Sequence, residues 1–169
     1  IQNDLVCEWL LSHYSMKNVM LLTGNHEKWF MAYANGEYKN PEDCKSAEFI
    51  NNTLPQLEKF NLKDLRAIAR KFIQCAYLQF HEKTFICTHA GMGFMPTHLQ
   101  CVATAEMIKG GKYENDIDEW FEQNNKNENL YQIHGHRNSF NHPINKFTHS
   151  FNLNEAVEFG ENLRIMEVE

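Results

Sequence analysis

Residues 84–91 have the sequence TFICTHAG, an apolar run that is followed at once by a polar cluster containing His89. The apolar run predicts a β-strand. The same arrangement occurs twice more, since residues 19–25 read VMLLTGN and residues 130–136 read LYQIHGH. Because open α/β sheets bind ligands beyond the carboxyl ends of their strands, the three clusters predict an α/β fold with a site at the strand ends.

Three side chains in these clusters carry donor atoms suited to a divalent metal ion: Asn25, His89 and His136. A neutral imidazole binds first-row metals near neutral pH, and an Asn carbonyl adds a neutral oxygen donor. A single cluster of this kind is common in loops, where Asn bonds the nearby backbone. Three of them at strand ends indicate a metal site, although the set lacks a carboxylate.

These clusters carry a resemblance to a known family. The order GNHE at residues 24–27, HAG at 89–91 and GH at 135–136 resembles the later motifs of the calcineurin-like metallophosphoesterases. The branch in question contains phosphoprotein phosphatases and the phosphatase module of bacterial and phage polynucleotide kinase-phosphatases. NNTL at residues 51–54 and SFNLN at 150–154 are similar to the helical insert and the closing strands of that branch. The resemblance implies an α/β sandwich of two mixed sheets flanked by helices.

The resemblance also implies a chemistry, namely phosphoester hydrolysis at a dinuclear metal centre with water as the nucleophile. Asn25, His89 and His136 would complete the ligand shell of the second of two divalent ions. His26 would be the general acid that protonates the leaving oxygen. The implied cofactors are manganese, iron, nickel or zinc, because Asn and His ligands suit all four metals.

Arg137 directly follows the third cluster and is the candidate substrate-binding residue. Its planar guanidinium could grip a phosphate oxygen or the leaving group, and a structural salt bridge is the alternative. His134 is interpreted as a strand residue or as a hydrogen-bond donor near the metal. Asp116, Asp118 and Glu119 are interpreted as acids favoured by a helix dipole rather than as metal carboxylates.

The opening motifs of the family are missing from the 169 residues. The family begins with Asp-x-His and Gly-Asp-x-x-Asp-Arg-Gly, which supply the first metal's ligands, the bridging Asp, the partner of the acid His and a phosphate-binding Arg. We therefore expect an N-terminally truncated domain of a longer polypeptide, with at most one well-supported metal site in this chain. Two alternatives stay open: a noncatalytic remnant, or a split half that needs another segment or chain for activity.

Composition sets further expectations. A length of 169 residues with 43% hydrophobic content predicts a single domain over residues 1–169, with a helical insert over about 27–80. Five scattered cysteines predict reduced thiols and a cytoplasmic location. No apolar run approaches the roughly 18 residues of a membrane span, so no membrane partner is expected.

The substrate is the least determined feature of this chain. A phosphoprotein, an RNA end carrying a 3′ or 2′,3′-cyclic phosphate, and a dinucleoside polyphosphate all suit the same metal pair. The run HGHRN at residues 134–138 looks most like the group of nucleic-acid-repair and phage enzymes. A formal charge of −6 counts against a broad nonspecific DNA surface but leaves an RNA end open as partner.

Hydrophobic periodicity predicts the helices and strands. We expect a first helix capped by Asn3 or Asp4, with its apolar positions near a 3.6-residue period at Leu5, Val6, Trp9, Leu10 and Tyr14. Further predicted helices cover residues 26–34, 41–50 and 63–79, and predicted strands cover residues 19–22, 84–87 and 130–133.

Overall fold

The structure is a computed structural model that describes residues 2–38, 40–93, 98, 102–111, 116–137, 147–154, 160 and 163–168. The described residues form six α-helices: α1 Asn3–His13, α2 Glu27–Asn35, α3 Leu54–Leu57, α4 Leu62–Ala69, α5 Thr104–Lys109 and α6 Ile117–Asn124. The strands are β1 Leu21–Leu22, β2 Phe72–Ile73, β3 Cys75–Phe80, β4 Lys83–Thr88, β5 Leu130–His134 and β6 Ser150–Asn152. The predicted fold class, α/β with two sheets and flanking helices, is confirmed.

The larger sheet places the polar clusters of β4 and β5 side by side. Its strand order is β3-β4-β5-β6, with β3 antiparallel to β4 and with β4, β5 and β6 parallel to one another. Cys87 pairs with Ile133, so the residues that follow β4 and β5 leave the sheet at the same edge. The smaller sheet contains β1 and β2.

The chain divides into two compact units, Ile1–Leu21 with Asn25–Ile73, and Leu22–Gly24 with Gln74–Glu169. The first unit packs α1, α2 and α4 around a core that includes Leu65 and Ile68, both fully buried. The second unit buries Phe85 and Ile86 of β4 in separate clusters on the two faces of the strand. The predicted single domain with an insert over about 27–80 stays a prediction.

The first helix differs from the prediction in its cap and in its buried face. Gln2 is the N-cap residue, and the Asn3 side chain instead donates a hydrogen bond to Thr53 Oγ1 at 3.2 Å. The Leu5, Val6 and Trp9 side chains are exposed, whereas Cys7 is buried. Leu10 and Tyr14 of the predicted apolar face do pack against the core, so the prediction holds for these two positions and fails for the three exposed ones.

The helix predicted over residues 63–79 is wrong in its second half. α4 ends at Ala69, and Cys75–Phe80 pairs antiparallel with Lys83–Thr88 along six residues. The segment is rich in aromatic residues, which fit a pleated sheet as well as a helix stripe. Pairing with β4 decides between the two, because it satisfies the backbone of both strands. The helix predicted over residues 41–50 is replaced in part by a 3-10 turn at Pro41–Asp43 and by a π-helix at Phe49–Thr53.

The helix predicted over residues 26–34 and the strands predicted at residues 84–87 and 130–133 are confirmed with small shifts at their ends, whereas the strand predicted at residues 19–22 is limited to Leu21–Leu22. α2 ends at Asn35, and the Gly36 that follows has a φ of +75°, the left-handed conformation that terminates many helices. The strands predicted at residues 84–87 and 130–133 each extend by a residue or two.

Four of the five cysteines lie in the described part of the chain, and all four are free thiols: Cys7, Cys44, Cys75 and Cys87. Burial raises the pKa of Cys7 and of Cys87 to about 11, so both stay protonated at neutral pH. Cys101 lies outside the described residues. Within the described ranges, no helix has the length and apolar character needed to cross a membrane.

Candidate metal centre

The second unit brings two of the predicted metal ligands into contact. His89 directly follows β4, and His136 comes two residues after β5. The Nε2 atom of His89 lies 3.1 Å from the Nδ1 atom of His136, and both side chains are half-buried. The parallel pairing of β4 with β5 is what delivers the two rings to one place.

This separation fits two nitrogen ligands of one metal ion. Zinc–nitrogen bonds are about 2.0–2.1 Å, so two nitrogens at a right or tetrahedral angle about the ion lie about 2.8–3.4 Å apart. The observed 3.1 Å falls inside that interval. It also suits an N–H···N hydrogen bond in the metal-free protein. Among the described residues, no group of three or more His, Cys, Asp or Glu side chains could hold an ion, so a closed site needs donors of another type or from elsewhere.

The backbone around His136 is held in an uncommon conformation. His136 has a φ of +65°, a left-handed value that costs a non-glycine residue roughly 1–2 kcal/mol. The neighbouring Gly135 donates its N–H to the carbonyl of His89 at 2.9 Å and accepts a hydrogen bond from the Arg137 N–H at 2.7 Å. Such strained residues concentrate at functional sites, where surrounding contacts fix them.

Arg137 is tied to two neighbouring loops. Its Nε donates to the carbonyl of Ala90 at 3.1 Å, and its Nη2 donates to the carbonyl of Gly111 at 2.8 Å. A Cβ added at Gly110 would lie 1.9 Å from Nη2, so the guanidinium fits there because residue 110 has no side chain. These bonds anchor the guanidinium at Ala90, the residue after His89. Its role in binding a phosphate stays a prediction.

Asn25 and His26 belong to the first unit, unlike the histidine pair. Asn25 is half-buried, and His26 is the N-cap residue of α2. The Nδ1 atom of His26 lies 3.5 Å from Glu48 Oε2, and the His26 side chain is 61% exposed. An exposed imidazole beside a carboxylate is accessible to a substrate. The predicted roles of Asn25 as metal ligand and His26 as general acid stay predictions.

A buried polar cluster beside the histidine pair was not found from the sequence. It consists of Asp118 on α6, Gln132 and His134 on β5, and Ser150 on β6. His134 Nε2 lies 2.8 Å from Asp118 Oδ1, and the Ser150 hydroxyl donates to the same oxygen. Gln132 Nε2 donates to Ser150 Oγ at 2.8 Å, and Gln132 Oε1 accepts from the Met92 N–H at 2.7 Å.

The sequence did contain a signal for this cluster. Leu130, Gln132 and His134 alternate along β5, and the structure buries all three on one face of the strand. Polar side chains at buried positions require hydrogen-bond partners. Asp116 caps α6 by accepting from the Asp118 N–H, which confirms the helix-start interpretation for Asp116. Asp118 itself is buried against His134.

The ionisation of Asp118 reflects this cluster. Burial alone would raise the pKa of Asp118, but hydrogen bonds from His134 and Ser150, together with the charge of His134, hold that pKa below its ordinary value. The carboxylate form is therefore the one that the cluster stabilises.

A second carboxylate on α6 pairs with another histidine. Glu122 Oε2 lies 3.1 Å from His149 Nδ1, and Glu122 Oε1 accepts from the His149 N–H. Burial alone would raise the pKa of Glu122. The backbone and ring of His149 and the hydroxyl of Thr148 together hold that pKa below its ordinary value.

We expect the Glu122–His149 pair to make part of the free energy of unfolding depend on pH. A carboxyl group whose pKa is lowered by folding stabilises the protein fully above its unfolded pKa, about 4.3 for Glu, and loses that contribution as pH falls through the folded pKa. A Glu122→Gln variant should therefore lose about 1 kcal/mol or less at pH 6, and the difference from the parent should shrink below pH 4.3. Urea unfolding at several pH values measures it, and a difference that grows on acidification would contradict the prediction.

Comparison with known proteins assigns the family. A search against curated proteins found no match to the chain. The model of the calcineurin-like phosphoesterase family matches residues 2–165. This match supports a metal-dependent phosphoester hydrolase in general and implies divalent metal ions as cofactors, which agrees with the spacing of the His89 and His136 nitrogens. The chain belongs to the calcineurin-like phosphoesterase family.

Proposed function

We propose that this domain hydrolyses phosphoesters with water as the nucleophile at a dinuclear metal centre, and that His89 and His136 are ligands of one of the two ions. The observation that carries the proposal is the 3.1 Å separation between His89 Nε2 and His136 Nδ1. When bound, divalent ions supply Lewis-acid catalysis and lower the pKa of water. Asn25 is proposed as a further ligand on its place in the GNHE motif. Manganese, iron, nickel and zinc all suit these donors.

His26 is the proposed general acid. Its exposed ring can donate a proton to a leaving oxygen, and the Glu48 carboxylate 3.5 Å away can orient that ring. Because both side chains are largely exposed, the His26–Glu48 pair adds little to the free energy of unfolding. The proposed role of Glu48 is to orient the His26 ring. This arrangement offers the acid a carboxylate partner from within this chain.

The proposed substrate is a phosphorylated RNA end, in line with the polynucleotide kinase-phosphatase branch. Support comes from the HGHRN run and from the guanidinium of Arg137, which lies at the carbonyl of Ala90 next to His89 and is a group that suits a phosphate oxygen. The four free thiols support a cytoplasmic location as part of this proposal. A phosphoprotein and a dinucleoside polyphosphate are the competing substrates.

The test is hydrolysis by the manganese-loaded chain. We expect manganese-dependent release of p-nitrophenol from p-nitrophenyl phosphate, and faster turnover of an RNA with a 3′ or 2′,3′-cyclic phosphate than of a phosphopeptide or a dinucleoside polyphosphate. His26→Ala should lower kcat by about 10²–10⁴-fold, the usual contribution of a general acid. Asn25→Ala or His89→Ala should cost more, because each removes a metal ligand. His13→Ala changes a half-buried α1 histidine that stacks on Trp9 and is none of the proposed site residues, so it is the control and should leave kcat unchanged.

One observation favours an alternative, a half-domain that is not active by itself. No group of three or more His, Cys, Asp or Glu side chains comes together in the described ranges, which favours a half-domain that another segment or chain completes. A chain that binds manganese through His89 and His136 but hydrolyses none of these substrates would contradict the proposed activity of the chain by itself. Activity restored by adding a segment that carries Asp-x-His would establish the alternative.

A further inference from the structure

His134, the last residue of β5, is enclosed on all sides by residues of the second unit. The His134 side chain is 0% exposed and that of Asp118 is 6% exposed. Each ring nitrogen of His134 faces an oxygen acceptor, since Nε2 lies 2.8 Å from Asp118 Oδ1 and Nδ1 lies 3.0 Å from the carbonyl of Gly135. Hydrogen bonds in such a buried place are strong and leave the ring a single orientation.

The ring of His134 also fills the space beside the HAG turn at residues 89–91. A Cβ added at Gly91 would lie 3.0 Å from Cγ of His134. Gly91 comes two residues after His89, and its N–H donates to the buried Thr88 hydroxyl at 3.0 Å. The imidazole of His134 thus packs against the HAG turn while its Nδ1 contacts the turn that carries His136.

Gly135 connects these contacts to the histidine pair. Its carbonyl lies against His134 Nδ1, and its N–H donates to the carbonyl of His89. Any shift of the His134 ring would therefore move the backbone that sets the distance between His89 and His136. Ser150 and Gln132 extend the support, since both lie in the same chain of buried hydrogen bonds.

We propose that Asp118, with Ser150, positions the His89–His136 pair by locking the ring of His134 against Gly135 and Gly91. The metal-binding consequence rests on the proposed function, whereas the locking of the Gly135 backbone does not. Neither Asp118 nor Ser150 is a ligand in this proposal, and both act through His134. Partners that orient the ligands of a metal typically change its affinity by about 10–100-fold when they are removed.

The α6 helix supplies a matched control. Glu122 lies one turn after Asp118 and binds His149, as Asp118 binds His134. In the described part of the chain, Glu122 hydrogen-bonds to Thr148 and His149, and Gly135 is not among these partners. Glu122→Gln therefore removes a carboxylate–histidine pair from the same helix without touching the Gly135 turn.

The experiment compares Asp118→Asn, Ser150→Ala and Glu122→Gln with the parent chain. The first measurement is hydrogen exchange of the Gly135 amide by NMR in the metal-free protein, scaled to the global stability from urea unfolding. We expect exchange at least about 10-fold faster in Asp118→Asn and a smaller increase in Ser150→Ala, with Glu122→Gln unchanged. The second measurement is the Kd for Zn²⁺, which we expect to rise by about 10–100-fold in Asp118→Asn and to stay unchanged in Glu122→Gln.

Each outcome has a separate meaning. Gly135 exchange in Asp118→Asn that matches Glu122→Gln would overturn the positioning role, whatever the metal affinity. If Asp118→Asn does not fold, Ser150→Ala decides the same question with a milder change. If Zn²⁺ binding to the parent is insensitive to His89→Ala and His136→Ala, the proposed function fails, while the Gly135 measurement still decides whether the buried cluster positions the turn.

Discussion

His136→Ala and His89→Ala are each expected to weaken divalent-metal binding by at least about 100-fold. Removing a partner of a metal ligand already costs about 10–100-fold, so removing the ligand itself should cost more. The two ring nitrogens lie 3.1 Å apart and form the histidine pair of the site, so either substitution leaves only one of them. Zn²⁺ titration calorimetry, together with the absorption spectrum of the Co²⁺-loaded protein, measures the loss.

A double-mutant cycle makes this prediction sharper. If both histidines hold the same ion, the double variant His89→Ala/His136→Ala should bind hardly worse than either single variant, because the first change has already opened the site. His13→Ala is the control for loss of an imidazole outside the pair. Additive losses in the double variant would mean two independent sites and would contradict the shared site.

Gly91→Ala is expected to destabilise the protein by about 2–5 kcal/mol. Gly91 has a φ of +76°, a conformation that costs a residue with a side chain roughly 1–2 kcal/mol. The new methyl would also lie 3.0 Å from the His134 ring, which is buried and bonded to Asp118, and such overpacking costs about 1–3 kcal/mol. Urea unfolding measures the loss.

Gly36→Ala separates the two causes. Gly36 has nearly the same φ, +75°, but a Cβ there would meet no atom within 4 Å. We expect it to lose only the backbone contribution, about 1–2 kcal/mol. Equal losses at Gly36 and Gly91 would show that the His134 ring yields to the methyl and is not locked by the buried cluster.

The local sequence pattern predicted helices and strands correctly where residues close in the chain decide the structure. The apolar runs before His89 and His136 form strands, and the Gly36 break ends α2 as expected. The same pattern misplaced residues 70–79, because a stripe of aromatic and aliphatic residues fits a helix or a sheet. Only the six-residue pairing with β4 settles that choice.

The candidate site likewise contains residues that the sequence predicted and residues that only the structure identified. Donor chemistry at strand ends predicted His89 and His136, and the parallel pairing of β4 with β5 brings their nitrogens into contact. The carboxylate that supports the site, Asp118, lies 16 residues from His134 and 32 residues from Ser150. In sequence it resembles an ordinary acid in the first turn of a helix, and only packing of α6 shows that it is buried.

The sequence by itself determined the family and the α/β class and predicted the metal ligands, because these follow from motif order, hydrophobic period and donor chemistry. The tertiary structure alone decided which face of α1 is buried, where α4 gives way to strand, and how Asp118, His134 and Ser150 combine. The physical reason is that these features depend on partners distant in the chain, whose burial and hydrogen bonding outweigh local preference.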